Sequence, residues 1–206
     1  MKRFYSLSFL LAFLVCIIGV GTRAEKAAPR VSSTSQTNSL RYVLAQEANS
    51  AYAQASIRLK GTDGKTYDIS NFRGSVVLLS FGATWCQPCK EELKALEELK
   101  KEYKDKPVKF LWVNIEATDQ VSDGDLRDYV KKLKVSFLVL RDPDNTTFSR
   151  FSPRRRLPTI LFFDKQGRLS MPNHVGMSAV PLYMSTMRAR LDRLLALNAP
   201  NDVGNR

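Results

Sequence analysis

Histidine is almost absent from this chain. His174 is the single example in 206 residues, and cysteine occurs three times, at Cys16, Cys86 and Cys89. A closed structural zinc site needs four nitrogen or sulfur ligands, and one close cysteine pair with one histidine does not supply them. A framework of several disulfides is excluded in the same way. A bridge closing so short a loop constrains little of the unfolded chain, so Cys86 and Cys89 point to chemistry rather than scaffolding. No internal repeat is found, and no motif for nucleic acid. The longest apolar run, residues 4–20, falls slightly short of the roughly 20 residues a spanning helix prefers.

The length accommodates one domain of about 150 residues with a targeting segment and a linker. Lys2-Arg3, the apolar run and then Gly21-Thr22-Arg23-Ala24 follow the order of a secretory signal. Residues 1–24 are therefore expected to be a signal peptide cut after Ala24, or an uncleaved membrane anchor through residues 4–20. Cys16 lies inside that segment, and its neighbours Phe13-Leu14-Val15 do not form a lipoprotein site. Residues 25–50 are polar and read as a linker, 51–198 as the domain, and 199–206 as a flexible tail. Removing Lys2, Arg3 and Arg23 from a formal charge of +12 leaves +9, since no acidic residue precedes Glu25. The basic surface fits solubility and anionic headgroups better than nucleic acid in an exported protein.

Ile57, Leu59, Gly61-Thr62-Asp63-Gly64, Tyr67 and Ile69 alternate like a hairpin with a glycine turn. Residues 75–81 form a nearly continuous apolar run, as in a strand buried on both faces. Residues 88–104 carry Leu93, Leu96, Leu99 and Tyr103 at helical spacing. Residues 108–114 read as a second buried strand, 125–132 as a helix, 159–163 as a third strand turning at Asp164-Lys165-Gln166-Gly167 into another at 168–171. A last helix spans 181–197. This order predicts an α/β fold, a sheet with helices on both faces.

Cys86-Gln87-Pro88-Cys89 falls where the first buried strand gives way to the first long helix. Unpaired backbone N–H groups at a helix N-terminus favour thiolate over thiol, which makes Cys86 the expected nucleophile. Cys89, about one turn along the same face, can close a disulfide with it and acts as the resolving thiol. Pro88 suits the first helical turn, where its missing N–H costs nothing. An inert structural bridge would have no need of a position that activates one sulfur.

Phe81-Gly82-Ala83-Thr84-Trp85-Cys86-Gln87-Pro88-Cys89-Lys90-Glu91-Glu92-Leu93 resembles the active-site segment of the extracytoplasmic thioredoxins of the TlpA and ResA type. Gly64-Lys65-Thr66, Phe72-Arg73-Gly74, Arg141-Asp142-Pro143-Asp144, Leu157-Pro158-Thr159 and Asp164-Lys165-Gln166-Gly167-Arg168 resemble that family's other landmarks, in the same order. The likeness covers residues 55–195. It implies a thioredoxin-like fold, a central mixed β-sheet flanked by helices, with an added N-terminal β-hairpin and a central insertion. It also implies action in the periplasm or at the outer face of a membrane, where such proteins commonly reduce disulfides, often in cytochrome c maturation. The expected partners are a protein disulfide substrate and an upstream membrane reductant, with no cofactor and no metal. Pro158 resembles the family's cis-proline opposite the redox pair. Trp85, Pro88, Leu157, Pro158 and Thr159 would then line the substrate groove, bordered by Arg154-Arg155-Arg156, unless that arginine run is simply a solvated loop.

Glu92 shares a helical face with Leu96 and Leu99, so it points to the core edge beneath the redox pair, and no lysine follows it at i+3 or i+4. A partly buried carboxyl would have a raised pKa and could pass a proton to or from Cys89. In the ResA type the matching glutamate influences the cysteines. The simpler role is a negative charge at the helix N-terminus, which Glu91 could also supply. Ser80 stands where cytoplasmic thioredoxin has a buried aspartate, so proton handling falls to Glu92, to Glu116 or to water, and Glu116 is expected to be an exposed strand-end residue. Two other classes compete. Gly82, Ala83 and Thr84 do not supply the threonine-bearing, proline-rich loop of a peroxiredoxin. A copper carrier would use Cys86, Cys89 and His174, but its cysteines stand one residue further apart.

Overall fold

The structure, a computed structural model, describes residues 56–197. The expected signal or anchor, the linker and the tail therefore lie outside the described residues.

The chain opens with β1 (Arg58–Gly61) and β2 (Thr66–Asp68), an antiparallel hairpin in which Leu59 faces Tyr67. Its turn carries Gly64 at φ 82°, a left-handed conformation that suits glycine. The Asp63 carboxylate accepts the Lys65 N–H and the Tyr67 hydroxyl. Ile69, expected in the second strand, instead begins a 3₁₀ turn, Ile69–Phe72, capped by Asp68.

Then come β3 (Val76–Gly82), α1 (Gln87–Glu102), β4 (Val108–Asn114) and α2 (Asp123–Lys132). They are followed by β5 (Leu138–Arg141), α3 (Thr146–Phe151), β6 (Thr159–Phe163), β7 (Leu169–Val175) and α4 (Val180–Ala196). The described strands form one mixed sheet in the order β2-β1-β5-β4-β3-β6-β7. β3 runs parallel to β4 and antiparallel to β6. Every residue of β3 is buried, which is why its sequence shows no polar alternation.

Successive residues of the central strands feed two cores. Val76, Leu78, Phe110, Trp112, Ile160 and Phe162 pack with α1, α2 and α4 on one face. Val77, Leu79, Phe81, Leu111, Val113 and Leu161 meet Phe148 of α3, Ile57, Leu59 and both redox cysteines on the other. Two-residue alternation in a fully buried strand sorts its side chains this way. The connection between β4 and β6, with α2, β5 and α3, occupies the place of the expected central insertion.

β5 and α3 were not among the expected elements. β5 is four residues long, too short to separate from neighbouring apolar positions by pattern. α3 starts at Asn145, which is left-handed and makes no side-chain cap. Asp142 does that work from three residues earlier, accepting the Thr147 and Phe148 N–H groups at 3.1 and 2.7 Å. β7 runs to Val175, beyond the expected 168–171, since Pro172 falls on an edge strand opposite a register shift in the pairing with β6, a place where proline is tolerated.

Gly82 ends β3 against the site. A Cβ there would meet Trp112 Nε1 at 2.7 Å and Cys89 Cβ at 3.3 Å. Trp112 and the disulfide are both packed in the core, so neither yields cheaply. Gly82→Ala is expected to cost the oxidised chain about 1–3 kcal/mol, read from the denaturant midpoint. An unchanged midpoint would mean that the indole and Cys89 move apart freely.

Candidate active site

β3 delivers the chain to the redox pair through Ala83, Thr84 and Trp85. Cys86 is the N-cap of α1 and Pro88 lies in its first turn. The two cysteines form a disulfide with Cα atoms 5.2 Å apart, and the Cys89 N–H donates to Cys86 Sγ at 3.2 Å. That donor is one of the N–H groups a helix start leaves without an intrahelical partner, and it favours negative charge on Cys86 once the bridge opens. Cys86 retains 5 % exposure and Cys89 none, so a partner sulfur reaches Cys86 first.

The other expected site residues fall at the same end of the sheet. Trp85 is 70 % exposed, and Pro88 is exposed beside it. β6 starts opposite the end of β3, with Thr159 paired to Phe81. That register carries Leu157 and Pro158 to the same rim, the Leu157–Pro158 peptide is cis, and Leu157 packs on the cluster that holds both cysteines.

Glu92 is buried more deeply than expected, with 0 % exposure. It sits on the second turn of α1, and Ser80 and Tyr183 close over its carboxyl from β3 and α4. Ser80 Oγ donates to Oε2 at 2.5 Å and Tyr183 Oη donates to Oε1 at 3.0 Å. Burial raises its pKa from 4.5, and with the two hydroxyl donors acting in the opposite direction it comes to about 8. A charge at the helix N-terminus is therefore not its role, since the group is past the first turn and largely protonated at neutral pH. Tyr183 ionises well above its ordinary range, first because it is buried and then because Glu92 is beside it.

Glu116 corrects the sequence reading. It is 6 % exposed, folded under the loop that leads to Cys86. Its carboxylate accepts the Thr84 N–H at 2.6 Å, the Thr84 hydroxyl at 2.8 Å and the Asn114 side-chain amide at 2.7 Å. The buried Arg141 donates to the Glu116 and Val121 carbonyls at 3.2 and 2.9 Å, bracing this segment from β5. A carboxylate satisfied by several donors is tolerated inside, which general surface preference for glutamate cannot foresee.

His174 is partly buried on β7, and its ring meets the edge of Tyr183 at 5.5 Å between centroids. Burial lowers its pKa, with a further contribution from Arg190. Among the described residues no three His, Cys, Asp or Glu side chains gather where a metal ion could be held. The convergence of Cys86, Cys89 and His174 that a copper carrier requires is therefore not supported.

The AhpC/TSA family matches residues 22–171. The chain belongs to that family. Within it, the chain is 32 % identical over 143 residues to the thioredoxin-like protein YneN of Bacillus subtilis, covering 68 % of this chain and 78 % of that one. It is 30 % identical over 107 residues to the thiol-disulfide oxidoreductase ResA of Bacillus thuringiensis, covering 52 % of this chain and 59 % of the relative. A solved thiol:disulfide interchange protein of Chlorobium tepidum superposes with a TM-score of 0.55 at 18 % identity, over 68 % of this chain and 94 % of that one. The last likeness carries the thioredoxin-like fold of this family member and nothing finer.

Glu92 makes stability depend on pH. The folded chain holds the carboxyl proton more tightly than the unfolded one, so the contribution is greatest below about 4.5 and is lost as pH rises to about 8. For the oxidised chain, Tm is expected to fall across that interval and to fall less in Glu92→Gln. Tyr183→Phe deletes one of the donors that favour the charged form, so the upper end of the interval moves to higher pH. Parallel Tm-against-pH curves for wild type and Glu92→Gln would show that the carboxyl titrates normally.

Proposed function

We propose that the chain is an exported protein thiol-disulfide oxidoreductase that reduces disulfides in partner proteins. The observation that carries this reading is the Cys86–Cys89 bridge at the N-cap of α1, with the more accessible sulfur receiving a helix N–H. The aligned segment spans 59 % of the length of the first ResA relatives, and their named activity supports the same reading.

In the reduced chain the Cys86 thiolate attacks one sulfur of a partner disulfide, and the partner's other sulfur leaves as a thiolate. Cys89, once deprotonated, attacks Cys86 Sγ, closes the intramolecular bridge and expels the partner's second sulfur. Two electrons and the two thiol protons thus pass to the partner. A membrane dithiol upstream returns them. Glu92, at about 8, lies close to the ordinary thiol value of about 8.5. In its ionised form, a carboxyl so matched takes the Cys89 proton as the bridge closes and then gives it up toward the departing partner thiolate, so that it ends the cycle as it began. Trp85, Pro88 and Leu157 form the surface that receives the partner, while Pro158 and Thr159, expected beside them, are buried and shape that rim from beneath. The Gln87-Pro88 pair puts no charge beside Cys86, which favours the reducing direction.

The lysine-arginine start and apolar run of residues 1–24 support export, by a signal or an anchor, and with it a site that works outside the cytoplasm. Among the described residues no helix is long and apolar enough to cross a membrane. The resemblance to the TlpA and ResA type supports cytochrome c maturation as the process such a reductant serves.

The mechanism assigns unequal work to the two thiols. Cys86→Ser is expected to abolish reduction, while Cys89→Ala completes the first attack and stalls, accumulating chain covalently joined to its partner. Acid quenching followed by non-reducing and reducing gels reads the adduct, which must vanish in the double variant. If Cys89→Ala traps nothing while the wild-type chain turns the same disulfide over, the two-cysteine mechanism is wrong. Glu92→Gln is expected to flatten the pH dependence of bridge closure near pH 8, and identical pH-rate profiles would confine Glu92 to packing.

A further inference from the structure

Arg154-Arg155-Arg156 is not used by the exchange chemistry. All three side chains are exposed, and none enters an ion pair among the described residues. The backbone that carries them is nevertheless tied down. The Arg155 N–H donates to the Ser152 carbonyl at 2.7 Å, the Arg156 N–H to Ser152 Oγ at 3.1 Å, and Thr159 Oγ1 to the Arg156 carbonyl at 2.7 Å. Arg155 takes φ 48°, which is uncommon for a residue with a side chain. Its guanidinium lies 5.9 Å from the centroid of Phe148, a residue in the core beneath the redox pair.

The position of this loop decides its use. Leu157 follows directly and packs on the cluster that contains Cys86 and Cys89. Three neighbouring cations therefore stand on a fixed backbone at the rim any partner disulfide must cross. Exposed like charges repel one another, and a complementary segment relieves that repulsion while speeding encounter.

We propose that residues 154–156 form a docking rim that selects partner proteins whose disulfide is flanked by acidic residues. The proposal rests on the oxidoreductase reading and names the substrate class of that site. An anionic lipid surface offers the same charge, but a membrane lying on this loop would cover the adjacent pair that has to admit a protein.

The test uses the full chain, reduced beforehand, under single-turnover conditions. Two synthetic peptides of equal length each carry one disulfide, flanked by glutamate in one and by glutamine in the other. Each rate is divided by the same protein's rate on bis(2-hydroxyethyl) disulfide, a small neutral probe. The wild-type chain is expected to favour the glutamate peptide by about tenfold at low ionic strength, with the preference shrinking in salt. Replacing Arg154, Arg155 and Arg156 together by Gln should bring the ratio close to one. Arg154→Gln and Arg156→Gln alone should each lower it part of the way, which covers the case of a triple variant that does not fold.

A wild-type ratio near one, or a preference that survives in the variants, overturns the proposal. So does loss of binding to phosphatidylglycerol vesicles in the variants with the peptide ratio unchanged, since the loop would then serve the membrane. Failure of the wild-type chain to reduce even the small probe would instead remove the oxidoreductase reading on which the proposal rests.

Discussion

The burial of β3 on both faces fixes the position of everything that acts. A strand hydrogen-bonded to β4 and β6 along its length, with cores above and below it, cannot slip by one residue without exchanging its two sets of side chains. Its end is therefore a fixed point, and α1 starts five residues later with Cys86 as its cap. The same register hands Ser80 to the face where α1 and α4 lie, so that the serine hydroxyl meets Glu92 there. It also sets Thr159 beside Phe81 and so brings the Leu157-Pro158 loop to the redox end.

Two buried carboxyls serve this arrangement in different ways. Glu92 is held by two hydroxyl donors and no cation, so burial dominates and the proton is retained to high pH. Glu116 meets a backbone N–H, a hydroxyl and a side-chain amide, and it fastens Thr84 just before Trp85 and Cys86. One carboxyl is enclosed in the core by hydroxyls, and the other ties down the loop that leads to the redox pair. Burial alone does not distinguish them, whereas the groups that each one meets do.

The long apolar segments were legible in the sequence because each satisfies a single periodicity. β4 and β6 match residue for residue, β3 and the long helices differ only at their ends, and the cysteine pair falls at the expected junction. The inward direction of Glu92 followed from helical spacing, but its depth did not, because Tyr183 comes from 91 residues away. Glu116 was misjudged for a related reason. Its burial depends on the loop folding back so that Thr84 and Asn114 converge on one carboxylate, and no local pattern records that. β5 and α3 escaped notice because one is too short for a pattern and the other draws its cap from outside the usual position.

The edges of the sheet govern how the protein behaves toward other copies of itself. β2 closes one side with three residues, too few to template a neighbouring chain. β7 closes the other with seven, but Pro172 brings no N–H to it and a register shift between Ile160 and Phe162 breaks its pairing with β6. An unbroken, flat edge of that length would invite a second molecule to add a strand. Among the described residues, neither margin of the sheet therefore offers the long, regular strand edge that such pairing needs, and the exposed Trp85 beside the redox pair stands at the end of the strands rather than at a margin.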